Sequence, residues 1–273
     1  MSICFRQGIT PEGYALGLLH ELGIPPVPPI QPFAICEKLG IKVAWEPLDS
    51  ADALIVKAGR NAYIILRAGQ AYQSREMFTV SHELGHYYIP HHLSNRYVCN
   101  SRDILSFQTS SEQEQEANRF AAELLMPGPW LKQKLVRSEA SLEFIRSISF
   151  ECGTSLTSTA FRIADICPDR IAVVYTENGF IKWFKKSRTF PYFVRKGKVD
   201  PRSYVADFFS AGTCLALENP KEVLASAWVT DANPDKTLIE ESAPMPNLNA
   251  VLTVLTVPFS EDDEEWDDDM YWV

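Results

Sequence analysis

The chain has 273 residues, 46% of them hydrophobic and 22% charged, with a formal net charge of −9. That is enough apolar content for one large or two modest cores. No apolar run reaches the ~18 residues that a membrane helix needs, and the first thirty residues lack the basic start and long apolar stretch of a signal peptide, so a cytoplasmic chain without a membrane partner is expected.

Eight acids crowd into Glu261–Asp269, and without them acids and bases nearly balance. No basic footprint for direct nucleic-acid binding is left. Six cysteines (Cys4, Cys36, Cys99, Cys152, Cys167 and Cys214) are scattered without paired spacing. That suits reduced thiols and marks no separate metal site.

In chain order, an N-terminal helix is expected to stop near Gly23. Its His20-Glu21-Leu22-Gly23 copies the opening of a metal-binding motif, but Ile24 stands where the second histidine belongs and a proline run follows, so a helix end capped by Gly23 is the plainer reading. A second helix is predicted near Pro32–Leu39, then a strand at Ile41–Trp45 and a buried strand at Asn61–Leu66.

Residues 82–86 read His-Glu-Leu-Gly-His. On a helix, His82 and His86 lie one turn apart on one face, within reach of one ion. Glu83 sits beside them, placed to act on a water as general base. This is the zincin arrangement for water attack on a peptide bond. Met77, Val80 and Leu84 keep helical spacing through the motif, and Pro90 ends the helix. Gly85 is a poor helix former that lets another backbone approach. The strand at 61–66 just before it is expected to bind substrate by taking the target peptide as an added strand.

A third ligand is needed, and several residues compete. His92 lies six after His86, where metzincins place a third histidine, but Ile89-Pro90 replaces the glycine turn of that pattern. His91 is a weaker candidate, and both otherwise read as a solvated loop. The segment Ser111–Pro127 reads as a helix with acids in its first turn and small residues at Ala117, Ala121 and Ala122. Glu114 and Asn118 share a face there. A glutamate ligand with a polar residue one turn on can bind zinc while the second holds a histidine ring. Glu112 and Glu116 are rivals to Glu114, and the helix dipole favours acids in that turn in any case.

The stretches Arg75–His86 and Glu114–Pro127 together resemble the ImmA/IrrE family of zinc metallo-endopeptidases, over roughly residues 10–168. The resemblance implies His82, His86 and Glu114 as Zn2+ ligands, Glu83 as catalytic base and Asn118 behind a ligand histidine. It implies an intracellular bacterial or phage-borne peptidase that cleaves or inactivates a helix-turn-helix repressor in a stress or mobile-element response. This chain shows no helix-turn-helix module, so that repressor is expected to be a separate protein. Tyr87, Tyr88, His91 and Arg162 are open candidates for stabilising the negative oxygen of the transition state. The competing reading is a non-catalytic, zinc-stabilised binding protein or toxin–antitoxin component. Were His92 to join the other three ligands, the ion would be closed and structural.

Helical spacing continues at Trp130–Arg137, Leu142–Phe150 and Thr154–Asp165. Near Pro168 the composition turns β-rich. Arg170–Tyr175, Asn178-Gly179 and Phe180–Phe184 spell a hairpin. Phe190–Val194, Val223–Thr230 and Val251–Val257 are also strand-like. The expected fold class is α+β: a mainly helical zincin-like domain with a small sheet (1–168), a small β-rich accessory domain (169–260) and an acidic, disordered tail (261–273). Trp266, Tyr271 and Trp272 make peptide docking by that tail conceivable.

Overall fold

The structure, a computed structural model, describes residues 8–49, 51–59, 61–69, 72–99, 111–211 and 219–258. The acidic tail, Cys4 and Cys214 lie outside the described residues. The fold is mixed α/β, with eight α-helices and two sheets among the described residues. None of these helices is long and apolar enough to cross a membrane. The chain divides into two compact units, Met1–Gln133 with Ile148–Ser155, and Lys134–Ser147 with Leu156–Val273.

The first unit starts with α1 (Pro11–Glu21), whose N-cap Thr10 side chain accepts from the Gly13 N–H. Gly23 takes a positive φ of +65° just past its end, and Ile24 N–H returns to Leu19 C=O at 2.9 Å. The decoy motif is thus a glycine-terminated helix end. Helix α2 (Pro32–Leu39) leads into β1 (Ile41–Glu46), β2 (Ala53–Ala58) and β3 (Asn61–Arg67). After α3 (Gln73–Tyr88), β4 (Arg96–Cys99) completes a sheet of order β1-β3-β2-β4. Only β1 and β3 run parallel.

This order corrects one expectation. Strand β3 pairs with β1 on one side and β2 on the other, so its backbone groups are used and it cannot receive a substrate strand. The edges are β1 and β4. The alternation of β3 reports which of its faces is buried and says nothing of its edges, which the neighbouring strands decide.

Helix α4 (Glu112–Leu125) packs on α3, and α1 packs on α4. Ile35, Ile55, Ile64, Leu66, Val80, Leu84, Phe120 and Leu124 form the core between helices and sheet. Asp52, almost fully buried, is met by the guanidinium groups of Arg67 and Arg75 and ties the sheet to the first turn of α3. Helix α5 (Gly128–Leu135) begins with Gly128 N–H donating to the buried Glu123 carboxylate at 2.8 Å.

The unit division passes through α6 (Leu142–Cys152). The second unit gathers α7 (Leu156–Ile166), β5 (Ile171–Glu177), β6 (Phe180–Lys186), β7 (Gly197–Lys198), α8 (Val205–Ala211), β8 (Lys221–Leu224), β9 (Thr237–Met245) and β10 (Ala250–Thr256). The sheet runs β7-β6-β5-β10-β9-β8, antiparallel throughout. Asn178 and Gly179, both at positive φ, close the predicted hairpin. Of the other expected strands, 251–257 is β10, 223–230 holds only the end of β8, and 190–194 contributes a single bridge, Val194 to Val229.

At Gly85 the backbone of another helix comes close. A Cβ placed there would lie 3.1 Å from the Ala117 Cα and 3.3 Å from the Phe120 ring. Gly85→Val should therefore lower the unfolding free energy by about 1–3 kcal/mol through overpacking. Gly17→Ala in α1, where a Cβ meets nothing within 4 Å, should raise it by up to ~1 kcal/mol. Urea unfolding of the full chain reads both, and equal effects at the two sites would contradict the assignment of Gly85 to close packing.

Candidate metal centre

Helix α3 presents His82, Glu83 and His86 with no solvent exposure. Helix α4 brings Glu114 against the two imidazoles. His82 Nε2 lies 3.0 Å from Glu114 Oε2, His86 Nε2 lies 3.3 Å from Glu114 Oε1, and the two Nε2 atoms are 3.1 Å apart. Tetrahedral coordination at zinc bond lengths places neighbouring donors about 3.3 Å apart. Two imidazole nitrogens and a carboxylate crowd this closely where a proton or a cation stands between them. Both carboxylate oxygens of Glu83 are buried without a hydrogen-bond partner that meets ordinary geometry. An uncompensated carboxylate in a dry site is costly, and a bound cation with its water would relieve it. The residues present therefore fit a metal ion.

The rings are held from behind. Asn118 Oδ1 lies 2.9 Å from His82 Nδ1, so it accepts the Nδ1 proton and leaves the Nε2 lone pair facing Glu114. His92 does the same for His86 by a longer route. His86 Nδ1 and His92 Nδ1 are 3.0 Å apart, and His92 Nε2 is 2.8 Å from Glu116 Oε2. With the His86 Nε2 lone pair turned to the centre, His86 Nδ1–H donates to His92, and His92 Nε2–H donates to Glu116. His92 is thus neither placed as a ligand nor part of a solvated loop. It is buried behind a candidate ligand. His91 remains exposed and meets the same Glu116 oxygen at 2.6 Å. Glu112 is exposed on the first turn of α4.

Three contributors were not read from the sequence as part of this site. The Tyr97 ring of β4 stacks on His86 with centroids 4.1 Å apart. Lys57 of β2 donates to the His86 and His92 carbonyls at 2.6 and 2.9 Å, pinning the end of α3. Cys99 of β4 brings its thiol to the centre, and its sulfur and the donor atoms of His82, His86 and Glu114 all lie within 4.8 Å of one another. Alternation places Tyr97 and Cys99 on one face of β4, a period-2 signal too short to stand out. Of the four candidate transition-state donors, Tyr88 is engaged with Glu21 and Tyr14 of α1, which together with burial push its phenol up. Arg162 belongs to the second unit.

Residues 36–162 match the family model described as the IrrE N-terminal-like domain, a peptidase family. They form a domain of the ImmA/IrrE family. A solved structure, a Mycobacterium tuberculosis transcriptional regulator, is similar to this chain with a TM-score of 0.55 and 14% identity, covering 90% of this chain and 76% of that one. At that identity the likeness concerns the fold. No curated protein matches the sequence significantly.

The electrostatics of the IrrE-like domain follow from burial. Burial raises the Glu83 carboxyl to about 7, against partial relief from His82 and the Cys99 thiol. Burial also drives His86 down to about 4, although Glu114 opposes it. Burial pulls His82 down as well, but Glu114 and Glu83 outweigh it and the net shift is upward. Glu114 is itself raised by burial and lowered more by the two imidazoles, so it stays ionised.

Two outcomes are expected. Glu83 carries a raised pKa in the folded chain, about 7 against a reference of 4.5, so the folded state binds the extra proton and stability falls as pH rises through that window. In chelator, Glu83→Gln should match wild type near pH 4.5 and exceed it by up to about 3 kcal/mol at pH ~8 in urea unfolding. An identical difference at both pH values would contradict the buried, unsatisfied carboxylate. Separately, His92→Phe should weaken binding of a divalent metal ion by about 10–100-fold in a chelator competition, and unchanged affinity would remove His92 from behind His86.

Proposed function

We propose that this chain is a zinc-dependent endopeptidase of the cytoplasm, with His82, His86 and Glu114 as ligands and Glu83 as catalytic base. The observation that carries this reading is the convergence of those three side chains beside the fully buried Glu83 carboxylate. Zinc bound there would supply a Lewis acid for the scissile carbonyl and acidify the attacking water.

The protein's own residues supply the rest. Glu83, next to His82 on α3, takes the proton from the water and can pass it to the leaving amine, the double role of a general base. Asn118 and the His92–Glu116 pair keep both imidazoles in the tautomer whose Nε2 lone pair faces the centre. Tyr97 and Lys57 hold the His86 ring and backbone. The substrate strand is assigned to β4, whose outer edge is unpaired among the described residues and whose Arg96 and Val98 side chains are exposed. The target follows from the family resemblance: a separate helix-turn-helix repressor, cut in a stress or mobile-element response.

The purified chain, mixed with zinc and the repressor-like protein encoded next to it, should cut that protein. Glu83→Gln should slow the cut by about 10²–10⁴-fold while retaining zinc, and Glu114→Ala should lose zinc and activity together. Mass spectrometry of the products and metal analysis of the variants read these outcomes. A Glu83→Gln protein that inactivates the partner as well as wild type would favour inactivation by binding.

A further inference from the structure

The near balance of acids and bases outside Glu261–Asp269 hides a basic surface on the second unit. From Arg170 to Arg202 nine bases stand against two acids, Glu177 and Asp200, and acids exceed bases by about as much in the rest of the body. Neighbouring acids neutralise only part of that run. Lys182 pairs with Glu177, Lys185 with Asp165, and Arg195 and Arg202 share the one carboxylate of Asp200. Arg188, Lys196 and Lys198 are exposed and meet no acid among the described residues. Lys186 donates to Tyr192 C=O at 3.0 Å and stands 5.0 Å from the centre of the Phe193 ring, which is itself 67% exposed.

The path of the chain brings a complementary segment to this surface. Ile171 pairs with Thr256 of β10, and Ser187 N–H donates to Ile171 C=O at 2.9 Å, so the ends of β10, β5 and β6 lie side by side. Val257 N–H donates to Arg170 C=O at 3.0 Å, and the Arg170 guanidinium donates to Pro258 C=O at 3.3 Å. Pro258 therefore sits about two strand spacings, roughly 10 Å, from the end of β6 with Lys186 and Arg188. Glu261, three residues on, opens the run of eight acids, and three residues span up to about 10 Å. Lys198 pairs with Phe180 at the far end of β6, with Lys196 just before it. That end is about 17 Å from Lys186, and the nine residues Glu261–Asp269 reach about 30 Å when extended.

We propose that Glu261–Asp269 docks on the basic surface formed by Lys186, Arg188, Lys196 and Lys198 of its own chain and screens it from other polyanions. Each exposed ion pair is weak and salt-screened, so the docking depends on the number of pairs and on the tether. A short tether holds the acids at an effective concentration on the order of millimolar, which a free polyanion at micromolar concentration does not match. Trp266 lies inside the acidic run, and the exposed Phe193 ring beside the Lys186 ammonium offers it an aromatic partner. A nucleic acid is attracted by the same bases, and the tethered acids compete with it directly. The proposal is independent of the metal centre, which lies in the other unit.

Zero-length carbodiimide cross-linking of the full wild-type chain tests this, because it joins carboxylates only to amines they touch. Peptide mapping of the monomer should find Glu261–Asp269 joined to Lys186, Lys196 or Lys198, and the yield should fall severalfold in 1 M NaCl, where screening acts over about 3 Å. Cross-links from the acidic run only to other lysines, or only between two copies of the chain, would overturn the proposal. A second measurement uses a 20-base-pair DNA duplex as the polyanion. Changing the eight acids to Asn and Gln should tighten duplex binding by roughly tenfold or more over wild type. Adding Arg188→Glu, Lys196→Glu and Lys198→Glu should remove that gain. Equal duplex binding by wild type and the eight-acid variant would show that the run screens nothing, and would also overturn the proposal.

Discussion

The candidate site depends on how closely α4 can approach α3. Three donor atoms on two helices must meet within about 3.3 Å, and long side chains cannot close a wide helix gap without losing their aim. The gap is set at Gly85, where a side chain would collide with the Ala117 backbone. Ala117 and Ala121 on the facing side are fully buried. Glycine weakens the helix interior by ~1 kcal/mol relative to alanine, and the approach it permits brings Glu114 onto His82 and His86. The site is therefore a property of interhelical packing before it is a property of the motif.

Glu83 differs from three other buried glutamates among the described residues. Glu123 accepts from Gly128 N–H at the start of α5, Glu241 accepts from Leu142 N–H at the start of α6, and Glu240 accepts from the Val205 and Tyr204 N–H groups at α8 and from the Trp228 indole. Each meets the free N–H groups of a helix start and so offsets its own burial. Glu83 has no such partner. It lies in the middle of α3, where backbone N–H groups are already used. A carboxylate kept dry there destabilises the metal-free fold, and a site that must move a proton is where such a cost is expected to persist.

Periodicity made the hairpin and every described helix except α8 legible. Pro32–Leu39, the motif helix, the Glu114 helix and the Asn178-Gly179 turn lie where spacing, prolines and turn chemistry put them. The unread strands have physical reasons. Strand β9 carries Glu240, Glu241 and Pro244 in its run, which reads as polar until the helix starts that use those acids are seen. Strand β4 has four residues, too few for an alternation to register. Its Tyr97 and Cys99 reach the centre only because β4 pairs with β2, a contact more than 40 positions apart in the chain. Pairing with β1 on one side and β2 on the other turned β3 from an expected docking edge into an interior strand. His92 was weighed as a ligand from its spacing alone. Its actual place depends on the turn after Pro90, which spacing does not encode.

That turn also decides the meaning of a second donor cluster. His91, His92 and Glu116 bring ligand atoms within 4.8 Å of one another, which by itself suggests a second ion. The His86–His92 contact argues against it. The two Nδ1 atoms are 3.0 Å apart, and a hydrogen bond there holds one proton, not two. An ion on His86 Nε2 places that proton on His86 Nδ1, so His92 must accept at Nδ1 and carry its own proton on Nε2. A protonated Nε2 cannot coordinate metal. It can donate to Glu116, at 2.8 Å. Loading the first centre therefore removes His92 from the second, and Glu116 is left anchoring a chain of hydrogen bonds that ends on the ligand ring. The half-buried carboxylate end of that chain raises the basicity of His86 toward the ion, as carboxylate–histidine pairs do at metal centres.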